Sequence, residues 1–266
     1  RDRFKIIRSI KFNRIIFSEQ FPLASSGLIA ALISISMFEN DLILTSLIFS
    51  GELLFLVSVV YFLTNPIKKF ISILFIPIFP RLNHFYAEGR KNELINLSYE
   101  VLKNFSILFL PLFMTIMYFS MPLILAVYGE QYGASYDLLI LSIAAIVIIF
   151  ITTPFILIYR TLKKVKFIIF INILQLIIFI ALLFFLKDFY QLMSLFIAKF
   201  VAVLISYILY SFGSLGISFS FIKIFFINIF TVLYSFLFCH ILNILFEKNG
   251  VFILDSKDII LSLIHI

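Results

Sequence analysis

Two adjacent lysines, Lys68 and Lys69, lie near the middle of a run, residues 50–80, that is otherwise almost wholly apolar. An ammonium group at the centre of a membrane-spanning helix costs about 2.5–3.5 kcal/mol on insertion scales. Such residues therefore face a polar cavity or a partner, and they serve an ion or substrate path. A third lysine, Lys199, stands inside another apolar run. Amides accompany the cations: Asn65 precedes Lys68 by three residues, and Asn172 and Gln175 are three apart, hence on one face of a helix. Lysine suits an anionic group as a point charge, and amides suit hydroxyls or one another across helices. Lys199 has a structural alternative, an ion pair with Glu19 or Glu52. For Lys68 and Lys69 the alternative is snorkelling to an interface. Glu19 fits either a carboxylate coupling transport to H⁺ or Na⁺, or a structural group near the inner interface. Cys239 and His240 are neighbours, but no further ligands stand at metal-binding spacing, so neither a metal nor a cofactor is expected.

These residues need elements that cross a membrane. The chain is 63% hydrophobic and 13% charged, with a mean hydropathy of +1.16. Uncharged or nearly uncharged runs cover 20–38, 104–129, 138–159, 167–186, 200–222 and 224–246, each near or above the ~18 residues that mark a spanning helix. With 50–80, and with the sixth span extended back to Phe189, the pattern predicts about seven spans in an all-α polytopic bundle. A soluble fold is excluded. The single cysteine excludes an intrachain disulfide. The 36 phenylalanines with no tryptophan read as AT-rich coding bias, not as an aromatic binding surface.

The net charge of +7 raises nucleic acid as a partner, but the placement of the charges removes it. With residues 1–14 taken as inside, fifteen Lys/Arg fall in inner segments, three in outer ones and three in spans. This is the positive-inside pattern of a multi-pass plasma-membrane protein whose N-terminal end is cytoplasmic. Residues 1–14 then form a juxtamembrane segment, 15–246 the bundle and 247–260 an extracytoplasmic tail. Residues 261–266 read LSLIHI, the translation expected of a transposase end from a sequencing library, and are set aside. The missing initiator Met and the odd span count predict a piece of a longer chain.

Along the chain, Pro22 sits in a first span that also carries a small-residue patch at 24–31 suited to close helix packing. Residues 42–80 admit two registers. In one, 50–80 spans and Lys68 lies roughly 18 Å from Pro80 and roughly 24 Å from Glu52. In the other, 42–67 spans, Glu52 is buried and the lysines reach the inner interface. Residues 83–103 are amphipathic and predict an interfacial helix on the inner leaflet. Pro111 and Pro122 predict a kinked span, and Tyr128-Gly129-Glu130-Gln131-Tyr132-Gly133 predicts a tight outer turn.

Several landmarks together carry a family resemblance. Asp41 ends a Pro-containing span. Val59-Val60-Tyr61 is followed by Pro66, then by Ile76-Pro77-Ile78-Phe79-Pro80-Arg81-Leu82 and Ala87-Glu88-Gly89-Arg90. Leu110-Pro111 is followed by Pro122-Leu123-Ile124, Val127-Tyr128-Gly129-x-x-Tyr132 and Leu138-Leu139-Ile140-Leu141. In order and spacing these resemble the C-terminal half of the Wzx-type flippases of polysaccharide or lipid-linked oligosaccharide precursors, in the superfamily that contains the lipid II flippases and the MATE exporters. The match covers roughly 15–212. Where the lipid II flippases carry Ala-Asp-Arg this chain has Val59-Val60-Tyr61, and where they favour Gly it has Lys68.

The resemblance implies a second lobe of a two-lobed transporter that works by alternating access. It favours the register in which Pro80 closes the span. The implied cargo is a polyprenyl-diphosphate-linked oligosaccharide moved from the cytoplasmic to the outer leaflet, with membrane lipids and glycan polymerase or transferase machinery as partners. Lys68, Lys69 and Lys199 would meet the diphosphate, and Asn65, Asn172 and Gln175 the sugar hydroxyls. No covalent chemistry is implied, so the chain would not be an enzyme. A small-molecule or drug exporter of the same superfamily would instead favour an aromatic cavity with an acidic site. A membrane glycan polymerase or ligase would need a long outer loop bearing Arg, His or acidic residues, and the outer loops between spans here are short.

Overall fold

The computed structural model describes residues 21, 24–25, 27–29, 31–33, 41–49, 51–213, 230–231 and 234, with the side chain of Glu52 outside the description. The expected spans at 15–38 and 224–246 fall largely outside these residues, as do 1–14, 247–260, 261–266, Glu19, Cys239 and His240. Among the described residues all regular structure is helical: α1 (Asp41–Ile48), a 3-10 turn (Gly51–Leu53), α2 (Leu54–Phe75), α3 (Ile78–Ala87), α4 (Lys91–Tyr118), α5 (Ser120–Tyr128), a second 3-10 turn (Glu130–Tyr132), α6 (Ser135–Thr161), α7 (Val165–Tyr190) and α8 (Met193–Gly213). The described residues of the first span between 21 and 33 are also helical. Five elements are long and apolar enough to cross a membrane: Leu54–Ala87, Lys91–Tyr118, Ser135–Thr161, Val165–Tyr190 and Met193–Gly213. The chain is an all-α, multi-pass membrane bundle.

Prolines and glycines set the breaks. Pro77 has no N–H for the carbonyl of Ile73, and the Ile76 N–H takes that acceptor at 3.3 Å, a tightened turn that separates α2 from α3. Pro122 cannot hydrogen-bond to the carbonyl of Tyr118, where α4 stops and α5 begins one residue later. Pro111 stays inside α4, so the expected break falls at Pro122 alone. Gly129 has φ +93°, a conformation that L side chains avoid, and it starts the tight turn expected at 128–133.

Two expectations change. The interfacial helix predicted over 83–103 is not separate. Its first residues belong to α3, a turn occupies 88–90, and from Lys91 one helix of 28 residues runs into the span. No Gly or Pro lies between Lys91 and Leu110 to interrupt it. At roughly 42 Å it exceeds a ~30 Å hydrocarbon layer, so its polar first turns project beyond the apolar zone. In the turn, the Arg90 guanidinium bonds both Glu88, at 2.9 Å, and Glu93. Its hydrogen bond holds the Glu88 carboxyl below the usual carboxylate range. The register over 42–67 is also interrupted, by the bend at Phe49 and the 3-10 turn at Gly51–Leu53. Lys68 and Lys69 lie in the interior of the Leu54–Ala87 element, as in the first register.

The bundle is organised around α6, which packs on α2, α3, α4, α5, α7 and α8. It carries apolar residues on every side, with Thr152 and Arg160 as polar exceptions on one stripe, the pattern of a helix surrounded by others. Phe150, 1% exposed, sits among Phe75, Phe105, Phe109 and Phe113 with ring centroids 5.5 to 6.2 Å away. Helix α7 shows the opposite arrangement. It packs closely on α8 and leaves Phe170, Ile177, Ile180 and Phe184 exposed, the lipid-facing side that a hydrocarbon solvent permits. At one end Ser135 Oγ donates to the Leu56 carbonyl at 3.2 Å. At the other, Gly213 is so close to Phe167 and Tyr159 that a Cβ would come within 2.6 Å of both.

Within lipid such packing acts through close contact more than through expulsion from water. Replacing Phe150 by Ala should lower stability by about 2–4 kcal/mol, toward the low side of the aqueous range for this deletion. Reversible unfolding of the detergent-solubilised protein in graded SDS measures this, and a loss under about 1 kcal/mol would show that α6 is not the packing centre.

Candidate functional site

Three polar features interrupt the apolar bundle. The first runs along α2. Tyr61, Asn65, Lys68 and Ser72 recur at steps of four, three and four residues, which places them on one stripe of the helix. Tyr61, Asn65 and Lys68 are half-buried and Ser72 is exposed. The Lys68 ammonium lies over the Tyr61 ring at 5.7 Å, and the Ser72 hydroxyl donates to the Lys68 carbonyl at 3.1 Å. Lys69 is exposed at the stripe's edge, about 100° round the helix from Lys68. The buried residues Val57, Thr64, Ile71 and Phe75 stand eleven before, four before, three after and seven after Lys68, so the stripe borders the core side of α2. Phe62 and Ile73 form a third, exposed apolar side. Helix α2 thus has a core side, a polar stripe along its border that carries Lys68, and an exposed apolar side that carries Lys69, seven residues from Phe62 and four from Ile73.

The second feature is an ion pair. Lys199 on α8 pairs with Asp41, the first residue of α1, and both residues are only 4% exposed. The Asp41 carbonyl accepts the Thr45 hydroxyl at 2.7 Å, and its carboxylate sits at a helix N-terminus, where negative charge is favoured. The Lys199 ammonium also lies 5.4 Å from the Phe196 ring centre. Lys199 is ion-paired, but its carboxylate is Asp41 and not the Glu19 or Glu52 that the sequence suggested. Glu19 lies outside the described residues.

The third feature is a cavity of ≈ 390 Å³ bordered by α6, α7, α8 and the described part of the first span. Asn172 and Gln175 both line it, as their spacing predicted, joined by Thr152 and Arg160 of α6 and by Ser206 and Tyr210 of α8. Gly27 and Ala31, from the small-residue patch of the first span, leave room on the fourth side. From Ile149 to Arg160 the α6 wall extends roughly 16 Å along the helix. A second cavity, ≈ 460 Å³, adjoins at the end of the bundle where α3 meets the α6–α7 turn. It is lined by Phe79, Asn83, Tyr86, Ala87, Arg160, Thr161 and Lys163.

The structure therefore divides the predicted site residues into three groups. Asn65, Lys68 and Lys69 share α2, Asn172 and Gln175 share the cavity, and Lys199 is held in the ion pair. No residue of α2 lines either cavity. Sequence reasoning missed Tyr210 and also Arg160, which charge counting had placed among the inner segments. A signal was present: Thr152, Ile156 and Arg160 follow one another at four-residue steps, a stripe that carries the arginine onto the wall. No known protein family, curated protein or solved structure matches the chain.

Breaking a buried ion pair from one side strands the other charge, at a cost of about 3–5 kcal/mol, whereas replacing both partners by apolar residues is often neutral or stabilising. Lys199→Met should lower stability by that amount. The double variant Asp41→Leu/Lys199→Met should recover to within about 1 kcal/mol of the parent. Thermal unfolding of the solubilised protein reports both, and a single variant as stable as the parent would show that the pair contributes nothing.

Proposed function

We propose that this chain is part of a flippase that carries a polyprenyl-diphosphate-linked oligosaccharide from the cytoplasmic to the outer leaflet of the plasma membrane. The observation that carries the reading is that Lys68, on the polar stripe of α2, and its exposed neighbour Lys69 stand in the interior of a largely apolar element of membrane-crossing length. Ammonium groups there are costly unless they face water or an anion. A diphosphate carries two or more negative charges, and moving it unaided through hydrocarbon strips its hydration. Cations along the path lower that barrier, while Asn65, Tyr61 and Ser72 offer hydrogen bonds to the attached sugars. Lys199 is not needed for this role, because Asp41 already balances its charge.

The orientation follows from charge. Arg81, Arg90, Lys91, Lys163, Lys164 and Lys166 gather around the turns at 88–90 and 162–164. Residues leading into the first turn (Asn83, Tyr86, Ala87) and into and within the second (Arg160, Thr161, Lys163) line the ≈ 460 Å³ cavity together, so the two turns share one end of the bundle. The positive-inside rule makes that end cytoplasmic. The polar side of α2 would face a second lobe across the translocation path, with glycan-assembling transferases supplying cargo on one side and a polymerase using it on the other. The reading requires no covalent step.

Lys68→Gln and Lys69→Gln, introduced singly and together in the full-length protein, should reduce export of the surface glycan, by about tenfold in the double variant. Abundance should be unchanged. Lys103→Gln, on an exposed position of α4, should have no effect. Undiminished export in the double variant, with normal abundance of the protein, would overturn the proposal.

A further inference from the structure

We propose that Arg160 and Tyr210 form a binding site for a phosphate ester or diphosphate anion, inside the α6–α7–α8 cavity and open toward the basic end of the bundle. The site is separate from the polar side of α2 and stands whether or not α2 guides a lipid-linked glycan.

Arg160 is the residue common to the linings of the two cavities. Its Nε is buried and has no hydrogen-bond partner among the described residues. Arginine does not lose its proton in proteins, so a guanidinium in this position requires either water or an anion. No Asp or Glu lines either cavity among the described residues. Arg160 also takes no part in any of the ion pairs found among them. The second cation, Lys163, lines the cavity nearer the end of the bundle.

Tyr210 is the second component. It is 1% exposed, lines the inner cavity, and its hydroxyl has no hydrogen-bond partner among the described residues. A buried hydroxyl normally finds one. Tyr159, the residue before Arg160, donates from its own hydroxyl to the Tyr210 carbonyl at 3.2 Å, and the two rings pack with centroids 5.7 Å apart. That contact ties the end of α6 to the end of α8. Asn172 and Gln175 add amide donors across the cavity. Among the described residues the wall thus presents a permanent cation with neutral donors and no competing carboxylate. Arginine reads phosphate oxygens through paired N–H groups, and a volume of ≈ 390 Å³ falls in the range of small-ligand pockets. The chemistry is shared by the headgroup of an anionic phospholipid and by a free phosphate compound.

The test is binding, not transport, so it can fail without touching the flippase reading. The full chain is placed in phosphatidylcholine nanodiscs and retention of radiolabelled inorganic pyrophosphate is measured. In a parallel arm the chain is extracted from vesicles of phosphatidylcholine and phosphatidylglycerol, and retained lipid is counted by native mass spectrometry. Retention of pyrophosphate identifies a free anion as the ligand source, and selective retention of phosphatidylglycerol identifies a lipid headgroup. In whichever arm binds, R160Q should weaken retention by about tenfold to a hundredfold, the range for a lost charge-assisted hydrogen bond, and Y210F by several-fold. If R160Q does not yield a helical, monodisperse protein, R160K and Y210F decide, since both should bind several-fold more weakly. No retention in either arm, or retention unchanged by the folded variants, would overturn the site.

Discussion

A charge inside an apolar bundle has to be balanced by an opposite charge, hydrated, or held ready for a ligand, because hydrocarbon offers it nothing. The buried Asp41/Lys199 pair meets this condition internally. It joins α1, which follows the first span, to α8 near the other end of the described chain. The pair is a directional contact in a bundle otherwise held by close apolar packing. Contacts of that kind specify which helix lies beside which, even where their net energy is small. Of the other cations inside the elements, Lys68 stands on the polar stripe of α2 over the Tyr61 ring, Lys69 is exposed beside it, and Arg160 lines a cavity.

Around this constraint the architecture follows from where helices stop. Pro77 and Pro122 set breaks, and Gly129 permits the tight turn at the end opposite the basic residues. Helix α6 can stand at the centre because it carries apolar residues on every side, and the aromatic rings about Phe150 fill the space where α2, α4 and α6 meet. Helix α7 can stand at the rim because its outward face is as apolar as the lipid beside it. The cavity survives in this packed surrounding because small residues of the first span, Gly27 and Ala31, face polar side chains of three helices across it.

Much of this was legible in the residues. Run length and apolarity identified the spanning helices, since a bilayer imposes one scale on all of them. The three-residue spacing of Asn172 and Gln175 placed both on one wall. What periodicity could not supply was pairing across the chain. Asp41 and Lys199 are far apart in sequence, and nothing local to either marks the other. Arg160 was misplaced because charge counting assigns cations near a helix end to loops, whereas α6 continues through Thr161 and turns that side chain inward. The helix from Lys91 was divided because its polar and apolar halves have different compositions, although one uninterrupted hydrogen-bonded spiral runs through both.

Carriage of an anionic headgroup along α2 requires its polar stripe to be wetted within the membrane. Single cysteines placed at 61, 65, 68 and 72, and at the apolar positions 62 and 73, in a Cys239→Ser background test it most directly. Each variant of the full-length protein is exposed in intact membranes to a membrane-impermeant maleimide. The account predicts that the first four react and the last two do not, a periodic pattern that follows one face of the helix. Uniform protection of all six, or equal labelling of both sets, would contradict it.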